Sequence, residues 1–198
     1  ARRQHASHRQ HHPRRTRAVT TTESALPAWS IASPKRRAHI ARVVALVDAW
    51  AAAMRVDRAE REAWHDAASW HDALRDASEA ELRALVPALD WPASALHGPA
   101  TAARLAADGE TRDDVLDAIR WHTIGSARTG RTGRALYMAD YLEPGRAFDR
   151  EWRAEMAERV PNDFEGAFRD VVRHRLAPRV AAGEVLLPET DALWRSVQ

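Results

Sequence analysis

The sequence predicts an all-α fold, and three observations carry that prediction. Apolar side chains recur at i, i+3, i+4, i+7 spacing along most of the 198 residues. No run alternates apolar and polar residues over the length of a strand. Proline, glycine and capping residues punctuate the periodic stretches at intervals that suit helices.

Taken in order, residues 1–34 lack any periodic apolar pattern and are rich in Arg, His, Thr, Ser and Pro, so a disordered basic arm is expected there. The first core helix is predicted over 34–55, opened by Pro34, with His39, Val43, Leu46 and Trp50 on one stripe. A second is predicted over 57–76, with Trp64, Ala67, Ala68 and His71 together, and a short one over 79–86. The next spans 94–108 and stops at Gly109, a residue suited to a helix C-terminus. Thr111, with Asp114 in capping-box spacing, is expected to open a helix that ends near His122. Helices over 129–142, 149–159, 162–182 and 189–197 complete the chain, and residues 35–198 read as one domain.

Composition narrows the function classes. Hydrophobic residues are 45% and charged residues 29%, ordinary for a globular protein. There is no cysteine, which excludes disulfides and thiolate metal sites. That fits a cytoplasmic protein, as does the absence of a membrane-length apolar run or a signal-peptide core. The net charge of +2 hides an asymmetry. Residues 1–37 hold nine Lys/Arg and one acid, Glu23, leaving 21 basic and 27 acidic residues in the remainder. Nucleic acid is therefore expected only as a weak contact of the arm, through its arginines, and His5, His8, His11 and His12 there are expected to bind metal loosely at most.

The chemistry lies on the apolar stripes. Val115, Ala118, Ile119 and His122 share a helical face, and so do Leu136, Tyr137 and Asp140. An imidazole and a carboxylate thus point where the apolar side chains point. A carboxylate in that place is costly unless it is paired or bound to metal. The inward candidates are His39, His71, Asp72, His97, His122 and Asp140, from five separate helices. Imidazole with carboxylate suits Fe, Mn, Zn, Co or Ni. Six such groups exceed the needs of one catalytic ion and suit two, with Asp72 bridging. The bland reading of the same residues is core histidines hydrogen-bonded to bracing aspartates. A second His-Asp pair, His65-Asp66, has Ser69 rather than a basic residue three positions after the Asp; it is read as structural, like His174.

In order, these residues match the H…HD…H…H…D pattern of the HD phosphohydrolase superfamily. The detail resembles the HD-domain symmetrical bis(5'-nucleosyl)-tetraphosphatases. It lies in AASWHDALR with Arg75 in the basic position, in His97-Gly98, in Ala118-Ile119 with His122-Thr123 and Gly125, and in Tyr137, Ala139-Asp140-Tyr141, Glu143-Pro144 and Arg146. The segment between Gly125 and Tyr137 departs from that family. It has Thr129 near the place of a usual methionine, and Gly130 and Gly133 are expected to loosen it. The resemblance implies hydrolysis of diadenosine tetraphosphate to two ADP by a hydroxide that two metal ions generate and hold. His39, His71, Asp72 and Asp140 would hold one ion, and Asp72, His97 and His122 the other. Iron is the first choice by analogy, with manganese or cobalt in its place as alternatives. Asp72 or Asp140 would orient the nucleophile or take its proton. Arg128, Arg131 and Arg134 are assigned to polyphosphate binding at the mouth, and Arg146 either to a phosphate or to bracing Glu143. The alternatives are an HD-type phosphatase or phosphodiesterase of another nucleotide, and a non-catalytic nucleotide-binding module. The sequence admits a homodimer and points to no membrane partner.

Overall fold

A computed structural model describes residues 26–198. Residues 1–25 of the predicted arm lie outside them. Residues 26–34 are described, Pro34 already within the first helix, and over 26–33 the expectation of disorder is corrected: this segment is held against the body. The Ile31 N–H donates to the Ala73 carbonyl at 2.8 Å, the Asp76 N–H returns to the Ile31 carbonyl at 3.2 Å, and the Trp29 indole N–H donates to Asp108 at 2.5 Å. Composition hid this because the anchors are mostly backbone groups, which a residue count does not weigh.

Among the described residues the chain forms nine α-helices and no strand, as predicted: α1 (Pro34–Ala53), α2 (Arg58–Trp70), α3 (Glu79–Leu85), α4 (His97–Ala107), α5 (Asp113–Trp121), α6 (Arg131–Leu142), α7 (Arg150–Arg159), α8 (Phe164–Ala181) and α9 (Pro188–Ser196). None is long and apolar enough to cross a membrane. Local chemistry sets the boundaries. Ser33 caps α1 by accepting from the Arg36 N–H, with Pro34 in the first turn; Asp57 caps α2 through the Glu60 N–H. The expected capping box at Thr111 is absent, and Asp114 accepts instead from Thr132 at 2.9 Å. A complete box sits on α3, where Ser78 and Glu81 bond reciprocally.

The core is built by α1, α2, α5 and α6. Val43, Val47 and Trp50 meet Trp64, Ala67 and Ala68, with Val115, Ile119, Leu136 and Met138 completing it. Alanines on α2 and α6 let the helices approach closely, and Trp64 stacks on Phe164 of α8 at 5.7 Å between ring centres. Gly133 does the opposite of loosening its segment. A Cβ there would stand 3.3 Å from the Ala118 Cα and overlap the Thr129 side chain, so the glycine permits the contact between α5 and α6.

Two departures from the predicted boundaries matter for the site. The helix predicted to run to residue 76 ends at Trp70 and gives way to turns over 71–76, and α4 starts at His97 after a single 3-10 turn. Within a helix, adjacent side chains diverge by about 100°. Ending α2 at Trp70 frees His71 and Asp72 to face the same point.

Candidate metal centre

The six residues singled out in the sequence gather at one end of the bundle, and all are buried. His39 comes from the first half of α1, His71 caps α2, Asp72 follows it, His97 opens α4, His122 caps α5 and Asp140 lies in the last turn of α6. Asp72 stands between the rings. Its Oδ1 lies 3.1 Å from His97 Nε2 and 3.5 Å from His122 Nε2, and its Oδ2 lies 3.6 Å from the Nε2 atoms of both His39 and His71. Asp140 Oδ1 is 3.1 Å from His39 Nε2, and the Nε2 atoms of His97 and His122 are 3.1 Å apart.

Two features show that this cluster fits a divalent metal site. The first is tautomer control. His71 Nδ1 lies 2.8 Å from the Ala68 carbonyl and His122 Nδ1 2.7 Å from the Ile119 carbonyl, while His39 Nδ1 lies 3.1 Å from Glu143 Oε1. With each Nδ1–H donated outward, each Nε2 turns a bare lone pair inward, the usual arrangement behind a metal-binding imidazole. The Nε2 atoms of His39 and His71 are buried and have no hydrogen-bond partner. The second is spacing. Donor atoms roughly 2.1 Å from an ion at right angles stand roughly 3.0 Å apart, close to the three separations of 3.1 Å here. Two overlapping sets are close enough to chelate: His39, His71 and Asp140, and His71, Asp72 and His122.

The electrostatics agree with that role. Burial works against ionised Asp72, but His71, His97 and His122 outweigh it and hold the carboxyl well below its ordinary range. Burial likewise opposes ionised Asp140, and His39, Arg146 and Arg175 reverse the effect. Burial pushes His71 down to about 4 against the pull of Asp72, and pushes His97 down as well. Burial would lower His39 too, but the Asp140 carboxylate beside its Nε2 and the charge of Asp72 raise it. Glu143, buried behind His39, is lowered despite burial by Arg42, the Gly145 N–H and His39. Asp72, Asp140, His71 and His97 are thus biased toward the forms that bind metal, anionic carboxylate and neutral ring, while His39 is biased toward its charged form.

Beside the cluster opens a cavity of about 180 Å³, lined in part by Arg36, Arg75, Arg146 and Arg175. Arg36 donates to Asp72 Oδ2 at 2.6 Å, and Arg146 to Asp140 Oδ1 at 2.5 Å and to the Asp140 carbonyl at 2.7 Å. Arg146 therefore braces the Asp140 side of the site rather than the Glu143 carboxylate.

Arg128, Arg131 and Arg134 are a correction to the reading of the sequence. None lines the cavity. Arg131 pairs with Glu60 at 2.7 Å and covers Trp64 and Phe164; Arg134 pairs with Glu165 at 2.5 Å and covers Phe168; Arg128 is exposed. The reason is helix length. Nine residues separate Arg131 from Asp140 along α6, roughly 13 Å at the helical rise, so Arg131, with Arg134 one turn on, lies toward the opposite end of the bundle. The sequence reading missed Arg36, Arg42 and Arg175 altogether. Arg36 and Arg42 were within reach, since each lies three residues from His39 on the same helix face. Arg175, on α8, gives no signal of its own. His65 bonds to Asp48 and Asp66 to Arg112, away from the cluster.

The all-helical fold is that of an HD-domain hydrolase, and the gathered histidines and aspartates fit a divalent-metal site. No family model matches the sequence. The sequence is similar to proteins named as symmetrical bis(5'-nucleosyl)-tetraphosphatases. It is 26% identical to that of Bacillus subtilis over 63% of this chain and 70% of the relative, and 25% identical to that of Halalkalibacterium halodurans over 66% and 73%. It also shares its fold with a Clostridium acetobutylicum protein named as a predicted HD superfamily hydrolase involved in NAD metabolism. There the TM-score is 0.70 and the identity 22%, over 83% of this chain and 89% of the other.

Proposed function

We propose that the chain cleaves diadenosine tetraphosphate at its centre to give two ADP, using two divalent ions held by His39, His71, Asp72, His97, His122 and Asp140. The observation that carries this reading is the Asp72 carboxylate, one oxygen facing His97 and His122 and the other His39 and His71. That division suits a bridge between two ions, His71 and Asp140 joining the His39 side. The names of the two sequence relatives supply the substrate. Iron is proposed as the metal, with manganese or cobalt as substitutes compatible with the donor set.

When bound, the ions would supply a water of lowered pKa and neutralise charge on the phosphoryl oxygens. The chain supplies the rest. Asp72 and Asp140, held anionic, fix the ligand geometry and orient the water. The arginine-lined cavity receives the phosphates and aligns an inner phosphorus with that water. The water oxygen forms the new bond to phosphorus, the bridging P–O bond breaks, and its electron pair leaves on the second ADP. The water's proton passes by way of a site carboxylate to solvent.

Metal analysis of the purified protein, with chromatography of its products from dinucleoside polyphosphates, tests the reading. ADP as the sole product from diadenosine tetraphosphate is expected. ATP with AMP would overturn symmetrical cleavage, and activity confined to other nucleotides would move the chain to an HD-type phosphatase or phosphodiesterase. Asp72→Ala and His122→Ala should each lose metal and ADP release together. Wild-type turnover in a metal-depleted variant would remove the metals from the mechanism.

A further inference from the structure

Three arginine side chains approach the carboxylates of the site, and they are not equivalent. Arg36 and Arg146 each donate to a candidate metal ligand at hydrogen-bonding distance. Arg175 comes from α8, which contributes none of the six ligands, and it is held by neutral groups instead. Its Nη2 donates to the Thr123 carbonyl at 2.8 Å, beside His122, and its guanidinium carbon lies 4.6 Å from the centre of the Tyr137 ring and 5.5 Å from that of Tyr141. The side chain lines the cavity and is only 20% exposed. Its Nη1 is buried and finds no hydrogen-bond partner among the described residues; the nearest acidic atom, Asp140 Oδ2, is 3.9 Å away, beyond hydrogen-bond reach.

A buried donor on a charged group is expensive to leave unmade, and native structures rarely leave one without a use. Here the fork is immobilised on two tyrosine faces and a carbonyl, so little side-chain freedom remains to be lost when an anion arrives. No carboxylate within hydrogen-bonding distance cancels its charge. A fixed donor in a water-poor cavity suits stabilisation of charge that develops during reaction.

From this geometry we infer that Arg175 binds a non-bridging oxygen of the phosphoryl group under attack, with Nη1 as the donor. The inference deepens the proposed hydrolysis and rests on it. As the water oxygen bonds to phosphorus and the bridging P–O bond breaks, charge builds on the non-bridging oxygens, and the Nη1–H strengthens its bond to one of them. Arg36 and Arg146, committed to Asp72 and Asp140, set the ligands; Arg175 reads the substrate.

The test compares Arg175→Ala, Arg175→Lys and the wild type as full chains loaded with metal. Metal content, kcat and KM for diadenosine tetraphosphate, and the affinity for inorganic tripolyphosphate are measured on each. Arg175→Ala should keep its metal and lose about 10²–10³-fold in kcat, the loss typical of one such donor. Its tripolyphosphate affinity should fall roughly tenfold or more, as for a lost charge-assisted hydrogen bond. Added guanidinium should recover part of the lost rate, which a merely structural role would not allow. Arg175→Lys, which keeps the charge and tests the site if the alanine variant misfolds, should fall between the two. Loss of metal in both variants, or unchanged kcat and tripolyphosphate affinity in either, overturns the inference. If the wild type cleaves no dinucleoside polyphosphate, the hydrolase reading fails, while the tripolyphosphate titration still decides the role of Arg175.

Discussion

Glu143 shows how much of the centre depends on a residue that faces away from the ions' place. Its Oε1 holds His39 Nδ1, while Oε2 takes Arg42 Nε at 2.5 Å and the Gly145 N–H at 2.7 Å; Arg153 donates to its backbone carbonyl. The carboxylate fixes the His39 tautomer and makes the ring a stronger donor to metal. Losing such a partner typically costs 10–100-fold in metal affinity. Glu143→Gln should therefore weaken metal binding by about that factor while leaving helix content unchanged. Titration of the metal-free protein, followed by circular dichroism, checks both halves, and unaltered affinity would mean that Glu143 serves only the packing of Arg42 and Arg153.

At the scale of the elements, the site depends on helix ends brought close together. Gly98, one residue after His97, lets α4 lie against the end of α5. A Cβ there would stand 2.7 Å from the Ile119 carbonyl oxygen, 3.1 Å from that of Arg120 and 3.3 Å from His122 Cε1. Two of these neighbours are backbone and yield little. Gly98→Ala is expected to destabilise by about 1–3 kcal/mol, as overpacking does, and to weaken metal binding because His97 and His122 move apart. Gly130→Ala is the control. Nothing lies within 4 Å of a Cβ at that position, so its stability should change by less than about 0.5 kcal/mol. Thermal melts of the two variants with and without metal measure this; equal behaviour would show that the close approach is dispensable.

Across the whole molecule, folding and metal binding are linked through protons. His71 sits at about 4 in the folded chain against an ordinary 6.5, because burial disfavours its charged form. The unfolded chain therefore takes up that proton first as pH falls. The contribution of a neutral His71 is complete above pH 6.5 and is lost as the pH drops toward 4, by up to about 3 kcal/mol at 1.36 kcal/mol per unit. His97 is lowered too and acts in the same direction. His39 is raised and acts oppositely, stabilising below 6.5 and losing that contribution as pH rises through its folded value. The large shift of His71, with His97 acting the same way, makes the urea midpoint of the metal-free protein fall between pH 6.5 and 4; a flat or rising midpoint would refute the assignment of neutral, buried His71 and His97. Metal at a hundred times its dissociation constant should add about 2.7 kcal/mol, roughly 5–10 °C in a chain of this length, and a chelator should remove the gain in a calorimetric scan.

The sequence by itself determined the helices and their inward stripes, because a period of 3.6 residues is written along the chain, and the six candidate ligands were legible in it as an ordered His and Asp pattern that resembles a known family. It also marked Gly98 and Glu143 without saying what they do. Tertiary structure decided the remainder. Only the packed bundle shows that Arg131 and Arg134 lie at the far end from Asp140, that residues 26–33 are pinned to the body, and that Arg175 of α8 reaches the cavity beside Asp140. Periodicity tells which way a side chain faces relative to its own helix. Which distant helix lies opposite is settled by close packing of the whole chain, and the cavity exists only between helices.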